Sequence, residues 1–158
     1  MAVDFPKMTT AEIRSAFLKF FEERGLKLYP SSSLVPDDPS LLLANAGMNQ
    51  FKEYYQGKKT MKEIGACSCQ KCVRTNDIDV IGEDGRHLSF FEMLGDFSFG
   101  GVSKEQACSW AFELITDVFK LPLDRLYFTV FTDDDETHDI WRSLGVPEDH
   151  ISRLGEDD

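Results

Sequence analysis

Near the start of the chain, apolar residues recur at the spacing of one helix face. Ile13, Ala16, Phe17, Phe20 and Phe21 follow an i, i+3, i+4, i+7, i+8 stripe. Thr9 and Glu12 stand ahead of it as a capping box, and Gly25 sits where a helix ends. The spacing predicts a helix between Thr9 and Gly25. A Pro/Ser/Asp-rich loop, PSSSLVPDDPS, follows. Residues 41–45 (LLLAN) then read as a short buried strand, and NAGMNQFKEYYQG as a turn with a short helix. Strands are expected at residues 66–74 (ACSCQKCVR) and 86–93 (RHLSFFEM), with Asp84-Gly85 as a hairpin-type turn between them.

A second stripe, Ala107, Trp110, Ala111, Leu114, Ile115 and Val118, lies behind a second capping box, Ser103 and Gln106. Residues 126–131 form an apolar run rich in β-formers. Asp133 and Glu136 open a third helix that ends at Gly145 before Pro147, and ISRLG begins one more strand. No internal repeat, low-complexity tract or linker interrupts this order. Helices and strands mix without a strict βαβ rhythm. The expected fold class is therefore α+β, an antiparallel β-sheet flanked by helices.

The 158 residues suffice for one domain with a real core, and a 42% apolar and 28% charged composition is that of a soluble globular protein. No apolar run approaches the roughly 18 residues of a membrane span, and MAVDFPKMTTAEIR has no signal-peptide core. A cytoplasmic protein without a membrane partner is expected. Four cysteines, three of them between Cys67 and Cys72, fit a reducing compartment better than a disulfide frame. The net charge of −11 argues against general nucleic-acid affinity, but it is unevenly placed. Through residue 75 there are 11 Lys/Arg against 8 Asp/Glu, and beyond it 6 against 20. A mildly basic half beside a strongly acidic one can still bind phosphates locally.

Candidate chemistry centres on the expected hairpin. Strand alternation puts His87, Ser89, Phe91 and Met93 on one face, and Arg86, Leu88, Phe90 and Glu92 on the other; Arg74 shares a face with Cys72. If Arg74 and His87 face the same side, the hairpin offers a cationic end and, at Phe91, a flat ring. A guanidinium forks onto phosphate oxygens, and an aromatic face stacks on a base, worth roughly 1–3 kcal/mol. The competing reading of Phe90, Phe91, Phe97 and Phe99 is core packing, which should hold for most of them. No glycine-rich phosphate loop is present. Cys69-x-x-Cys72, with Cys67 and with Cys108 or a histidine, has zinc-like spacing, but a second pair is missing and Cys72 points away from Cys67 and Cys69 in an extended strand. Free thiols and no metal are expected. Met48 is expected to pack in the core, and the acidic run 133–136 is better explained by a helix N-terminus than by a bound cation.

The stretch from Arg74 to Gly100 resembles motif two of the class II aminoacyl-tRNA synthetases. Arg74 closes one strand, the loop 75–85 follows, and His87-LSF-Phe91 gives His-x-x-x-Phe. TAEIRSAFLKFFEERG, SSSLVP, NAGMNQFK, KCVRTNDI, RHLSFFEMLGDFSFG and LYFTVFTDDDETHDIW are similar, in that order, to the N-terminal sequence of the family's alanine-specific members. The resemblance implies the class II catalytic fold and a ligase. Arg74 would hold the ATP α-phosphate while the alanine carboxylate attacks it. His87 would reach the distal phosphates, Phe91 would stack on adenine, Asp77 would support the motif-two loop, and Met93 would complete the ATP-binding set. The implied products are alanyl-adenylate and pyrophosphate, and the alanyl group then passes to the 3′ end of tRNA(Ala). Alanine, ATP with Mg2+ and tRNA(Ala) are the implied partners.

By the same resemblance, residues 1–158 hold the N-terminal part of the catalytic domain with motifs one and two. Motif three, the alanine pocket, a zinc-bearing editing domain and a C-terminal domain for self-association would lie beyond Asp158, and these residues alone would be inactive. The alternative is a truncated paralogue that binds nucleotide or tRNA without catalysis. Three local departures from the family pattern are Leu88, Asp96 and Gly101-Val102-Ser103, none of them in the Arg74/His87/Phe91 set.

Overall fold

Helix α1 (Thr10–Glu22) forms where the apolar stripe predicts it. In the computed structural model, which describes residues 7–75, 78–83 and 85–156, its capping box is complete. Thr9 Oγ1 accepts from the Glu12 N–H at 3.3 Å, and Glu12 Oε2 accepts from the Thr9 N–H at 2.7 Å. At the other end Gly25 adopts φ +87°, the left-handed region that a side chain disfavours. Its N–H reaches the Glu22 carbonyl at 3.0 Å and the Leu26 N–H reaches Phe21 at 3.1 Å, the paired closure of a Schellman motif. Phe17, Phe20 and Phe21 are buried, each worth about 1.5–3 kcal/mol.

The chain divides into two compact units, one of them Arg14–Gly101. Its sheet has the order β1 (Lys27–Tyr29), β2 (Gly65–Val73), β3 (Phe90–Ser98). Strand β1, too short to carry a periodic signal, pairs in parallel with β2 (Leu28 opposite Cys67). Strands β2 and β3 are antiparallel, from Gly65 opposite Ser98 to Val73 opposite Phe90. This register places Ala66, Ser68, Gln70 and Cys72 on one face with Phe91, Met93, Gly95 and Phe97. On the opposite face α1 is tied down by Arg14, whose Nη2 lies 2.6 Å from Glu92 Oε2, and by the Cys67 thiol, 3.9 Å from the Leu18 carbonyl.

Several sequence expectations shift here. The strand expected at 86–93 runs instead from Phe90 to Ser98, and residues 74–89 connect it to β2 rather than a tight two-residue turn. Gly85 does turn the backbone, at φ +67°, but Asp84 lies outside the described residues. Residues 41–45 are not a strand. The Ala44 N–H and carbonyl are held by Leu34 and Val73 and the Leu41 N–H by Asp38, none of them as part of a strand ladder, while Leu42 stands 90% exposed. The following NAGMNQF segment is a 3-10 turn, Gly47–Phe51, leading into the short helix α2 (Lys52–Tyr55). Met48 is half exposed there rather than packed in the core. Phe51 carries the packing instead, with ring centroids 4.8 Å from Phe97, 5.2 Å from Tyr29 and 6.0 Å from Phe99. Phe97 and Phe99 thus join an aromatic cluster, whereas Phe90 is half exposed. A Cβ on Gly95 would stand 2.6 Å from the Phe97 ring, so that position has no room for a side chain.

The other unit holds residues 102–156 together with the chain's start. Helix α3 (Lys104–Glu113) begins at the predicted Ser103/Gln106 box, with the Gln106 N–H donating to Ser103 Oγ at 3.2 Å, and continues through a wider turn over Leu114–Val118. Cys108 and Leu114 are its buried positions, and Ala107, expected inward, faces solvent. Strands β4 (Phe128–Phe131) and β5 (Ile151–Leu154) pair in parallel on either side, in sequence, of α4 (Asp135–Ser143). That βαβ unit was not legible from the element rhythm. The α+β class holds, with the antiparallel pairing confined to β2–β3 among the described strands. The cap of α4 is Asp134 rather than Asp133, accepting from the Thr137 N–H at 3.0 Å. Thr137 and Lys104 hold the Asp134 carboxyl down at about 2. Lys104 lies 2.9 Å from both Asp134 and Glu136, and Arg153 2.8 Å from Asp135, which accounts for the acidic run. No helix among the described residues is long and apolar enough to cross a membrane.

Candidate functional site

Arg74 follows the last residue of β2. Its N–H donates to the Ser89 carbonyl at 2.9 Å, adding one rung beyond the Val73–Phe90 pair. Pleat parity then puts the Arg74 side chain on the face of Cys72 and Phe91. The guanidinium carbon lies 5.3 Å from the Phe91 ring centroid, and Nε donates to the backbone carbonyl of Asn45 at 3.0 Å. Cation and ring therefore lie together at one end of the sheet face, as the sequence led us to expect. Next inward on that face, Met93 Sδ accepts the Gly47 N–H at 3.2 Å.

His87 is placed differently from the expectation. It is exposed and precedes β3, so strand alternation does not direct its side chain. Asp77 lies outside the described residues. The connecting loop contains a 3-10 turn, Ile78–Val80, and shows apolar side chains to solvent at Ile78 (61% exposed) and Leu88 (64%).

The structure adds elements that the sequence did not reveal. The segment 44–51 lies along the same face and supplies main-chain groups, the Asn45 carbonyl to Arg74 and the Gly47 N–H to Met93. Main-chain groups have no residue signature; the only signal was the NAGMNQF block itself. A cavity of about 580 Å³ opens beside Ser32, Asp38, Asn49, Gln50, Lys52 and Lys59, and none of Arg74, His87, Phe91 or Met93 lines it. Its shape does not mark the site that the chemistry marks.

Among the described residues no group of three or more His, Cys, Asp or Glu side chains converges as a metal site. Cys67 and Cys72 are buried on opposite faces of β2, and burial pushes the Cys67 thiol up to about 11. A hard cation takes oxygen ligands, and Arg74, Phe91 and Met93 offer none. Glu92 is on the other face, engaged by Arg14, which also lowers its pKa.

A family model described as tRNA synthetases class II (A) matches residues 12–158. The chain is 54% identical over 147 residues to the chloroplastic/mitochondrial alanine–tRNA ligase of Oryza sativa subsp. indica, covering 92% of this chain and 15% of the relative. It is 50% identical over 151 residues to the alanine–tRNA ligase of Fervidobacterium nodosum (96% and 17%). The figure for the Synechocystis enzyme of that name is 51% over 154 residues (97% and 18%). The chain therefore spans less than a fifth of the length of these relatives.

Proposed function

This chain belongs to the class II aminoacyl-tRNA synthetases, and we propose that it forms the motif-two side of the ATP site of an alanine–tRNA ligase. The observation that carries the reading is the pairing of Arg74 with Phe91, 5.3 Å apart on one sheet face, with Met93 beside them. The relatives' names support alanine as the amino acid.

ATP, carrying Mg2+, places its adenine on the Phe91 ring and its α-phosphate at Arg74. With Nε committed to Asn45, the guanidinium meets the phosphate through its Nη1–Nη2 edge. The alanine carboxylate attacks the α-phosphorus, the bond to the β-phosphate oxygen breaks, and pyrophosphate leaves. Negative charge grows on the α-phosphoryl oxygens during this step, where a preorganised cation contributes most. His87 reaches toward the distal phosphates and Asp77 supports the loop. The alanyl group then passes from the adenylate to the 3′-terminal adenosine of tRNA(Ala). Free thiols, buried at Cys67, Cys72 and Cys108, suit a reducing compartment and support a cytoplasmic location.

The test is alanine-dependent ATP–pyrophosphate exchange by the gene product that carries these residues. Exchange with alanine well above that with serine or glycine is expected. Its absence, or equal exchange with all three, would overturn the assignment.

A further inference from the structure

Strand β2 reads GACSCQKCV, and within it Gln70 is an amide with no solvent exposure at all. A buried amide must find partners for two donors and its acceptor oxygen. Here Oε1 accepts from the Ser32 N–H at 2.8 Å, the Ser32 hydroxyl at 3.1 Å and Gln50 Nε2 at 3.1 Å. Nε2 donates to the carbonyls of Ser32 at 3.2 Å and Lys71 at 2.8 Å. Because the Ser32 N–H can only donate, the amide has one workable orientation.

Three of these bonds hold Ser32, and one, to Gln50, reaches the segment that orients Arg74. Gln50 belongs to the 3-10 turn Gly47–Phe51. A Cβ on Gly47 would stand 3.6 Å from Gln70 Cβ, so the turn passes close to the base of that side chain. The residues leading into that turn supply the Ala44 carbonyl to the Val73 N–H at 2.9 Å and the Asn45 carbonyl to Arg74 Nε at 3.0 Å. Asn49 Nδ2 ties the turn back to Asn45 Oδ1 at 3.1 Å. Through Gln50, this buried side chain is therefore linked to the stretch whose carbonyl directs the guanidinium.

We propose that Gln70 is a positioning residue for Arg74, acting by seating residues 44–51 so that the Asn45 carbonyl holds the guanidinium across Phe91. This rests on the reading of Arg74 as the phosphate-binding cation. Gln70, fully buried, does not touch substrate. Its effect is on the placement of a group that acts in the transition state, so it falls on kcat more than on the KM for alanine.

A double-mutant cycle in alanine-dependent ATP–pyrophosphate exchange tests it, on the gene product that carries these residues. Gln70→Met keeps the side chain's length and removes its hydrogen bonds; a fall in kcat on the order of tenfold to a hundredfold is expected. In an Arg74→Ala background the same substitution should cost almost nothing, since the group it positions is gone. Equal losses in both backgrounds would make Gln70 purely structural and overturn the proposal. Should Gln70→Met fail to fold, Gln50→Met, at a half-buried position, removes one of the amide's bonds. Its smaller loss must likewise vanish with Arg74→Ala, and persistence there overturns the proposal. Arg74→Ala alone leaving exchange unchanged would instead sink the reading of Arg74, and the positioning role with it.

Discussion

Replacing Arg74 with lysine separates transition-state chemistry from folding. Among the described residues the guanidinium donates to the Asn45 carbonyl at 3.0 Å and lies 5.3 Å from the Phe91 ring. An ordinary hydrogen bond contributes about 0.5–1.5 kcal/mol net, and a cation over a ring at an exposed site about 0.5–1 kcal/mol. Arg74 is exposed, and lysine retains part of the ring contact, so the stability loss should stay near about 1 kcal/mol. For a domain of this size that is a melting shift of roughly 2–4 °C. In the reaction, by contrast, removing one preorganised donor from developing negative charge costs about 2.7–4 kcal/mol, or roughly 10²- to 10³-fold in rate. A point charge cannot reproduce the Nη1–Nη2 fork, so lysine should recover little of this. Exchange kinetics at varied ATP, run beside thermal melts of both Arg74→Lys and Arg74→Ala, read the two effects separately. The expected outcome is a collapse of kcat with a small change in the KM for ATP and nearly native melting. A lysine variant with near-normal exchange would refute the fork. A loss of rate accounted for by loss of folded protein would show that Arg74 serves the fold.

Other outcomes follow from local geometry. Ser103→Ala removes the cap of α3 and should lower stability by about 1 kcal/mol, read by urea or thermal unfolding. Gly95→Ala drives a Cβ to 2.6 Å from the Phe97 ring and should cost about 1–3 kcal/mol; unchanged melting would mean that the ring has room to move. The Asp134 carboxyl, held at about 2 chiefly by the Thr137 N–H, binds its proton more weakly folded than unfolded. It therefore adds stability above the ordinary aspartate range near 3.8 that is lost as pH falls toward 2. Asp134→Asn, which still caps, should flatten that acid limb in unfolding curves taken from pH 5 downward. With Cys67 and Cys72 on opposite faces of β2, residues 1–158 purified alone should carry no stoichiometric zinc, and one zinc per chain by elemental analysis after dialysis would contradict this.

What could be read from the sequence was what depends on near neighbours. Helices α1 and α3 carry caps three residues apart and stripes of 3.6-residue period, and both form where predicted. Misreadings arose where distant residues decide. The LLLAN run has the composition of a buried strand, but no strand among the described residues offers it a ladder, and its backbone bonds at Leu41, Ala44 and Asn45 go to separate partners. The start of β3 is set by its partner: Val73 ends the pairing and lies opposite Phe90, so RHLS remains outside the strand despite its alternating pattern. Strand β1 exists through three rungs to β2 and has no periodicity of its own.

The same division runs through the site. Arg74, Phe91 and Met93 share a face because strand parity is a local property, valid as far as the ladder extends. The Arg74–Ser89 bond carries that ladder one rung beyond Phe90, and His87 lies past its reach. Direction at His87 is consequently a property of the 74–89 loop, whereas direction at Arg74 is fixed by the Asn45 carbonyl. Between the two motif-two residues that would touch phosphate, one stands on a preorganised support and the other on a connection with apolar side chains turned to solvent. Preorganisation pays off where charge develops during the reaction rather than where ligand is first met. Arg74 should accordingly govern the rate of adenylate formation, and His87, on its loop, the capture of the distal phosphates.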